Sequence, residues 1–333
     1  MTPEKLAQEL HKLATDGRPF GLAGRCSKAL LGGPLESAGT TLSTINMRRL
    51  LKYDPRDLTI SVEAGMPWSE LENILAEHRQ MVPLDPGWKD STVGGVVACN
   101  LSGPRRRLYG TARDMIIGMT FATLEGKLVQ SGGMVVKNVA GLDMAKLMIG
   151  SFGTLAAIAI VNFRVFPMPA ESSTFEMRFE TAADAFAARD RILAGVLQPA
   201  AIDIVNWPDG FRMLVGAGGS ARVLDRYARE LREAKIVNES AWDEIREFGA
   251  RFLEEHPTGA IVPLSMKLTE MAAAMQTLKV PAIARAGNGV IYAHYAENPP
   301  PIVWNGDFAM MEKVKHMFDP ERLLNRGRLY GRI

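Results

Sequence analysis

The chain has 333 residues, 47% hydrophobic and 23% charged, a globular composition that excludes collagen, coiled coil and a disordered tail and leaves room for roughly two domains. Lys plus Arg total 39 against 37 for Asp plus Glu, and a net charge of +2 excludes a nucleic-acid grip. Two cysteines, Cys26 and Cys99, exclude a disulfide framework and a Cys-rich zinc or iron–sulfur site, so a reducing cytoplasm fits.

Met1 to Leu13, with Glu4, Lys5, Glu9 and Lys12, is spaced as a helix and lacks the apolar stretch of a signal peptide. No apolar run approaches the roughly 20 residues of a membrane span. Glycine is the lopsided count: of 31 in all, 19 fall in residues 1–168 and 12 in residues 169–333. Glycine clusters mark tight turns or places where backbone meets a ligand.

The first cluster, Phe20 to Lys28, predicts a short strand and a polar turn, Gly24-Arg25-Cys26-Ser27-Lys28. The second, Ser91 to Gly103, sets Gly94 and Gly95 at the start of a helix, where free N–H groups favour a phosphate. Arg105-Arg106-Arg107 follows as a basic loop suited to a phosphate or partner contact, too short for nucleic acid. The third cluster, Tyr109 to Asp114, leads into a hairpin of Met115 to Leu124, a Glu125-Gly126 turn, and Lys127 to Gln130. The fourth, Lys137 to Leu155, predicts a helix, a Gly150-Ser151-Phe152-Gly153 turn, and the strand Ala156 to Phe166.

From 169 to 305 strands alternate with helices. Strands are expected at Ser173–Glu180, Ala201–Val205, Phe211–Val215 and Ala260–Lys267, and in a hairpin of Ala282–Ala286 with Val290–Tyr295. Helices are expected at Ala182–Leu197, Ala221–Ala234, Ala241–Glu254 and Thr269–Leu278. The pattern predicts an antiparallel sheet with helices on one face. Tyr292 and His294, two apart in a strand, share a side, and with Arg285 as carboxylate partner they form a candidate catalytic trio for an α-hydroxy acid. The five histidines are scattered with no i, i+4 pair, so no metal site is expected.

The order of the glycine clusters over about 18–168 resembles the FAD-binding domain of the vanillyl-alcohol oxidase, or PCMH-type, flavoprotein superfamily. Within it, three phrases are similar to the family of FAD-binding E subunits of bacterial glycolate oxidase: Gly103-Pro104-Arg105-Arg106, Val136 to Gly141 with Asp143, and Gly150 to Leu155. The ending, Phe318-Asp319-Pro320-Glu321-Arg322-Leu323-Leu324-Asn325-Arg326-Gly327-Arg328-Leu329, is similar to the family's closing D-P-x-x-x-L-N-P-G-K/R-L. There are departures. Gly24-Arg25-Cys26 stands where the family has three glycines, Arg326 where it has proline, and Leu142 where Tyr is common. The stretch Arg285 to His294 keeps a Gly-x-Gly turn without the ligand histidines of catalytic relatives.

The resemblance implies an α+β chain: a PCMH-type FAD-binding domain of two α+β subdomains at 1–168, a reduced antiparallel-sheet cap at 169–305, and a C-terminal helix and tail at 306–333 returning to the first domain. It implies non-covalent FAD; at the departing positions, Cys26 is read as a small buried thiol and Arg25 as a guanidinium for the phosphates in place of the missing glycines. The cofactor-binding residues it implies are Gly24, Arg25, Cys26, Ser27, Lys28, Thr92, Gly94, Gly95, Asn100, Ser102, Gly103, Gly110, Asp114, Gly150, Gly153, Leu155 and Asn325. The implied role is that of a subunit in a glycolate oxidase (glycolate dehydrogenase)-like hetero-oligomer, beside a catalytic flavoprotein subunit and an iron–sulfur subunit. That complex oxidises glycolate or a similar small 2-hydroxy acid to the 2-oxo acid, in the cytoplasm or peripheral to the inner membrane through partners. Two alternatives stand beside it: a self-sufficient flavin 2-hydroxy-acid dehydrogenase and a flavin-free structural subunit.

Overall fold

The computed structural model describes residues 1–33, 35–36, 39–134, 143–207, 209–297, 299–300 and 308–333. The phrase Val136 to Gly141, and Leu142, lie outside the described residues. Two compact units form: Met1–Leu101, Thr111–Pro167 and Gly306–Ile333 make the first, Ser102–Gly110 and Met168–Asn305 the second. The segment 102–110 thus belongs with the second unit, a crossing that chain order alone does not reveal.

The elements run α1 (Pro3–Thr15), β1 (Phe20–Ala23), β2 (Thr40–Ser43), β3 (Leu50–Asp54), β4 (Thr59–Glu63), α2 (Trp68–Ala76), β5 (Gln80–Met81) and α3 (Val93–Ala98). Next come α4 (Arg106–Tyr109), α5 (Ala112–Met115), β6 (Ile116–Ala122), β7 (Leu128–Gly132), α6 (Ala145–Met148), β8 (Ala157–Arg164) and β9 (Phe166–Pro167). The second unit continues with β10 (Glu171–Phe179), α7 (Ala182–Ala194), β11 (Ala201–Val205), β12 (Phe211–Gly219), α8 (Ala221–Glu230), β13 (Lys235–Val237) and α9 (Ala241–Glu255). It ends with β14 (Ala260–Ser265), α10 (Met271–Thr277), β15 (Ala282–Arg285) and β16 (Val290–Tyr295), before α11 (Phe308–Phe318) of the first unit.

In the first unit, α1 begins where Thr2 accepts a hydrogen bond from the Lys5 N–H and Pro3 occupies the first turn, both helix-start signals. Its buried Leu6, Ala7 and Leu10 pack with Phe20, Ala157, Ala159 and Leu324, each buried leucine contributing about 2 kcal/mol. β8 is the centre of an antiparallel five-stranded sheet ordered β3-β4-β8-β6-β7, and its run Ala157 to Phe163 is apolar apart from Asn162 because it is covered on both faces. The expected hairpin is present as β6 and β7, with Gly126 at φ 78° and the Thr123 N–H donating to the Lys127 carbonyl at 3.0 Å. β1 pairs in parallel with β2, and Phe20 also bridges Leu324, so the last segment of the chain lies along this small sheet.

That last segment is fastened from within. Lys315 and Asp319, both 1% exposed in their side chains, pair at 2.6 Å, and Lys315 Nζ also donates to the Thr154 and Leu324 carbonyls at 2.8 and 3.1 Å. Asp319 accepts the Leu323 and Leu324 N–H groups at 3.0 and 2.8 Å, which turns the chain toward Asn325.

The second unit is a seven-stranded antiparallel sheet, β13-β10-β12-β11-β15-β16-β14. Its helices cover both faces, not one. Ile202, Ile204, Met213 and Val215 pack under α7, α8 and α10, while the alternate residues Ala201, Val205 and Leu214 pack with Trp242 and Ile245 of α9. β11, Ala-Ile-Asp-Ile-Val, is buried at every position, the mark of a strand covered on both sides.

Candidate cofactor-binding site

The loop after β1 builds one wall of a cavity of about 160 Å³ in the first unit. The N–H groups of Arg25, Cys26 and Ser27 donate to no acceptor among the described residues. Cys26 stands at φ 58°, so a left-handed conformation that favours glycine is adopted here by a cysteine. Three successive open amides around a left-handed residue form a nest suited to an anion. Cys26 is exposed, which corrects the expected buried thiol.

Gly24 is required by close approach: a Cβ there would lie 2.4 Å from Thr92 Oγ1. Thr92 caps α3, accepting the Gly95 N–H at 3.2 Å. The amides at this helix start are all taken, Val93 by the Met66 carbonyl, Gly94 by the Ala64 carbonyl at 2.7 Å, and Val96 by the Thr92 carbonyl. The expected phosphate site on the N-terminus of α3 is therefore not available; Gly94 and Gly95 line the cavity with open amides lying across from them in the 25–27 loop.

Three cations line the same cavity, Arg25, Lys28 and Arg328, and among the described residues its lining contains no Asp or Glu. Lys28 is 8% exposed and donates to Ser91 Oγ at 2.6 Å and Ser27 Oγ at 3.1 Å. Arg25 is exposed, its Nη1 lying 3.9 Å from Asp90. Burial pushes the Cys99 thiol up, against the pull of Lys28 and Arg328. Open amides and three cations on one wall fit the two negative phosphates of FAD.

Asn325 joins the cavity from the far end of the sequence. At φ 48°, its Oδ1 accepts the Leu22 N–H at 2.7 Å while its Nδ2 donates to the Phe152 and Gly153 carbonyls at 3.0 and 3.2 Å. Gly153, at φ 67°, leaves room for that amide, since a Cβ would meet Nδ2 at 2.8 Å. One side chain thus ties β1, the 150–154 turn and the C-terminal segment together.

The structure brings together Gly24, Arg25, Cys26, Ser27, Lys28, Thr92, Gly94, Gly95, Gly153 and Asn325 on this cavity. Four other expected residues have local roles. Asn100 closes α3 at φ 49°, Gly150 donates its N–H to the Val97 carbonyl, Leu155 is buried, and exposed Asp114 caps α5 by accepting the Thr111 N–H at 2.7 Å. Ser102, Gly103 and Gly110 belong to the second unit. Arg328 and Cys99 line the cavity and were not among the expected residues. The basic position in the closing phrase and the position before Asn100 in the second glycine segment were the signals available for them.

In the second unit the candidate trio is turned inward. Arg285 pairs with Asp203 directly across β15 and β11, and the two are 8% and 0% exposed. Tyr292 sits beneath the Arg285 guanidinium at 5.7 Å. His294 is 2% exposed against Phe248 and Phe252 at 4.8 and 5.2 Å, with Nδ1 at 3.2 Å from the Pro281 carbonyl. Burial pushes its pKa down to about 4. Tyr292 and His294 do share a side, but it is the side under α9, which makes His294 a core histidine rather than a general base. Among the described residues no group of three or more His, Cys, Asp or Glu could hold a metal ion, and no helix is long and apolar enough to cross a membrane.

Residues 1–132 match the family model described as an FAD binding domain. Glycolate oxidase subunit GlcE of Escherichia coli (strain K12) is 30% identical over 99% of this chain and 98% of its own length. The D-lactate dehydrogenase of Anaerostipes hadrus is 31% identical over 53% of this chain and 38% of its own length. Glycolate oxidase subunit GlcD of Bacillus subtilis (strain 168) is 30% identical over 54% of this chain and 38% of its own length. A solved alkyldihydroxyacetonephosphate synthase shares the fold at a TM-score of 0.71 and 17% identity, over 97% of this chain and 74% of that one. The chain therefore belongs to the family of glycolate oxidase subunit GlcE, among the FAD-dependent oxidoreductases, and its cofactor is FAD.

Proposed function

We propose that this chain is the FAD-binding subunit of a glycolate-oxidase-like complex in the cytoplasm, working beside a catalytic flavoprotein subunit and an iron–sulfur subunit on glycolate or a similar small 2-hydroxy acid. The observation that carries the reading is the cavity wall of open amides at Arg25, Cys26 and Ser27, lined as well by Arg25, Lys28 and Arg328. Bound FAD supplies the redox chemistry, taking a hydride equivalent from the hydroxy acid's oxidation and passing electrons onward. This chain's residues hold the cofactor without a covalent bond: the nest and the cations face the diphosphate, and Asn325 keeps the two ends of the site together.

The subunit reading is favoured over a self-sufficient dehydrogenase by the second unit. Arg285 is committed to Asp203 and His294 to the α9 core, so neither is available to bind or deprotonate a hydroxy acid. The test is reconstitution. The purified chain should become yellow with FAD yet reduce a dye with glycolate only when the other two subunits are added. A chain that reduces the dye alone would establish the self-sufficient enzyme, and one that stays colourless with FAD would establish the flavin-free subunit.

A further inference from the structure

Arg328 stands out among the buried cations of the first unit. It is 8% exposed, yet among the described residues no carboxylate pairs with it. One nitrogen, Nη1, donates to three carbonyls of a single loop, those of Ala29 at 2.7 Å, Leu31 at 3.0 Å and Gly33 at 2.9 Å. That loop continues directly from the nest, and Nε has no hydrogen-bond partner among the described residues. A buried guanidinium without a counter-charge is costly unless an anion joins it. The same residue lines the cavity.

The backbone that presents Arg328 is itself strained. Leu329 and Tyr330 follow at φ 56° and 58°, a conformation unfavourable for residues with a Cβ, and such strain concentrates at ligand clamps. It is held in place from the loop's side: the Tyr330 N–H donates to the Gly32 carbonyl at 3.0 Å, and Gly33 packs so closely on Tyr330 that an added Cβ would lie 3.0 Å from its backbone.

We propose that Arg328 is a positioning residue for the cofactor: its three carbonyl bonds hold the 29–33 loop that follows directly on the nest, and its uncompensated charge is the counter-charge of the FAD diphosphate. The C-terminal segment thereby becomes part of the flavin site, about 200 residues beyond the last residue matched by the FAD binding domain, since 328 − 132 = 196. The inference rests on the reading that this cavity takes FAD.

The experiment is a titration of the full chain with FAD, followed by quenching of flavin fluorescence, for the wild type, Arg328→Gln and Arg328→Lys. Each is repeated from about 50 mM to about 500 mM KCl, with thermal unfolding of each protein in parallel. Arg328→Gln should bind FAD about tenfold or more weakly at low salt, and its log affinity should fall less steeply with salt than that of the wild type. Arg328→Lys, which keeps the charge, should bind within about threefold of the wild type with the wild-type slope. A weakening in Arg328→Gln that runs parallel to the wild-type line at every salt concentration would overturn the counter-charge. If Arg328→Gln does not fold, Arg328→Lys decides: a retained slope supports the proposal, and a lost slope in a folded protein overturns it. A wild-type chain that takes no FAD overturns the cofactor reading itself, an outcome visible without any variant.

Discussion

The second unit and the cavity wall of the first treat their cations in opposite ways. In the second unit each buried one is answered from within: Arg285 by Asp203 across two strands, and Arg189 by the Ala286 and Leu268 carbonyls with Asp190 beside it at 2.7 Å. In the first unit Lys315 is answered by Asp319, but on the cavity wall buried Lys28 and Arg328, with exposed Arg25, line a cavity that has no Asp or Glu among its described lining residues. A cation matched by the protein's own acid is part of the core, whereas a cluster of cations beside open amides is prepared for an anion from outside.

The sharpest way to break this contrast is to remove the internal acids. Asp203→Ala and Asp319→Ala each strand a buried cation and should each cost about 3–5 kcal/mol in urea unfolding. Only Asp319→Ala should also release FAD, because Asp319 directs the turn that delivers Asn325 and Arg328. Flavin lost equally from both variants would mean that the contrast reports stability alone.

Next in size is the effect of pH on the second unit. Unfolded His294 takes a proton below pH 6.5, while the buried native ring stays neutral down to about pH 4. The unfolded state therefore binds more protons in that window, and stability should fall by about 3 kcal/mol as pH drops through it. His294→Phe should flatten that part of the pH profile; an unchanged profile would show that the ring titrates normally.

Smaller effects test the wall itself. Arg25→Glu should weaken FAD about three- to tenfold, a modest change because Arg25 is exposed and already near Asp90. Unaltered retention would mean that Arg25 faces solvent rather than the diphosphate. Smallest is Cys26→Gly, which relieves a left-handed cysteine and should raise stability by about 0.5 kcal/mol, after the greater chain entropy of glycine is subtracted. A loss of stability there would show that the thiol makes a contact worth more than the strain.

Much of this molecule was legible in the chain. The amphipathic start, the Glu125-Gly126 hairpin, the strand of Ala201 to Val205 and the glycine loop at 24–28 each follow from local pattern, since side-chain period and turn chemistry act over a few residues. Two expectations failed for the same kind of reason. Gly94 and Gly95 read as an open phosphate site, but the Ala64 carbonyl and the Thr92 hydroxyl take their amides, and Ala64 lies thirty residues before Gly94. Arg285, Tyr292 and His294 had plausible chemistry and spacing, but α9 covers their face of the sheet and Asp203 claims the arginine.

The sequence by itself determined the family, many of the elements and the position of the glycine loop at 24–28, because glycine placement and apolar periodicity are properties of neighbouring residues. Tertiary structure alone decided which amides stay open, that Cys26 can take a left-handed glycine's place, and that Asn325 and Arg328 complete a cavity begun at Gly21. Those outcomes depend on which distant carbonyl or carboxylate reaches a group first, and hydrogen bonds and buried charges are satisfied in space rather than along the chain.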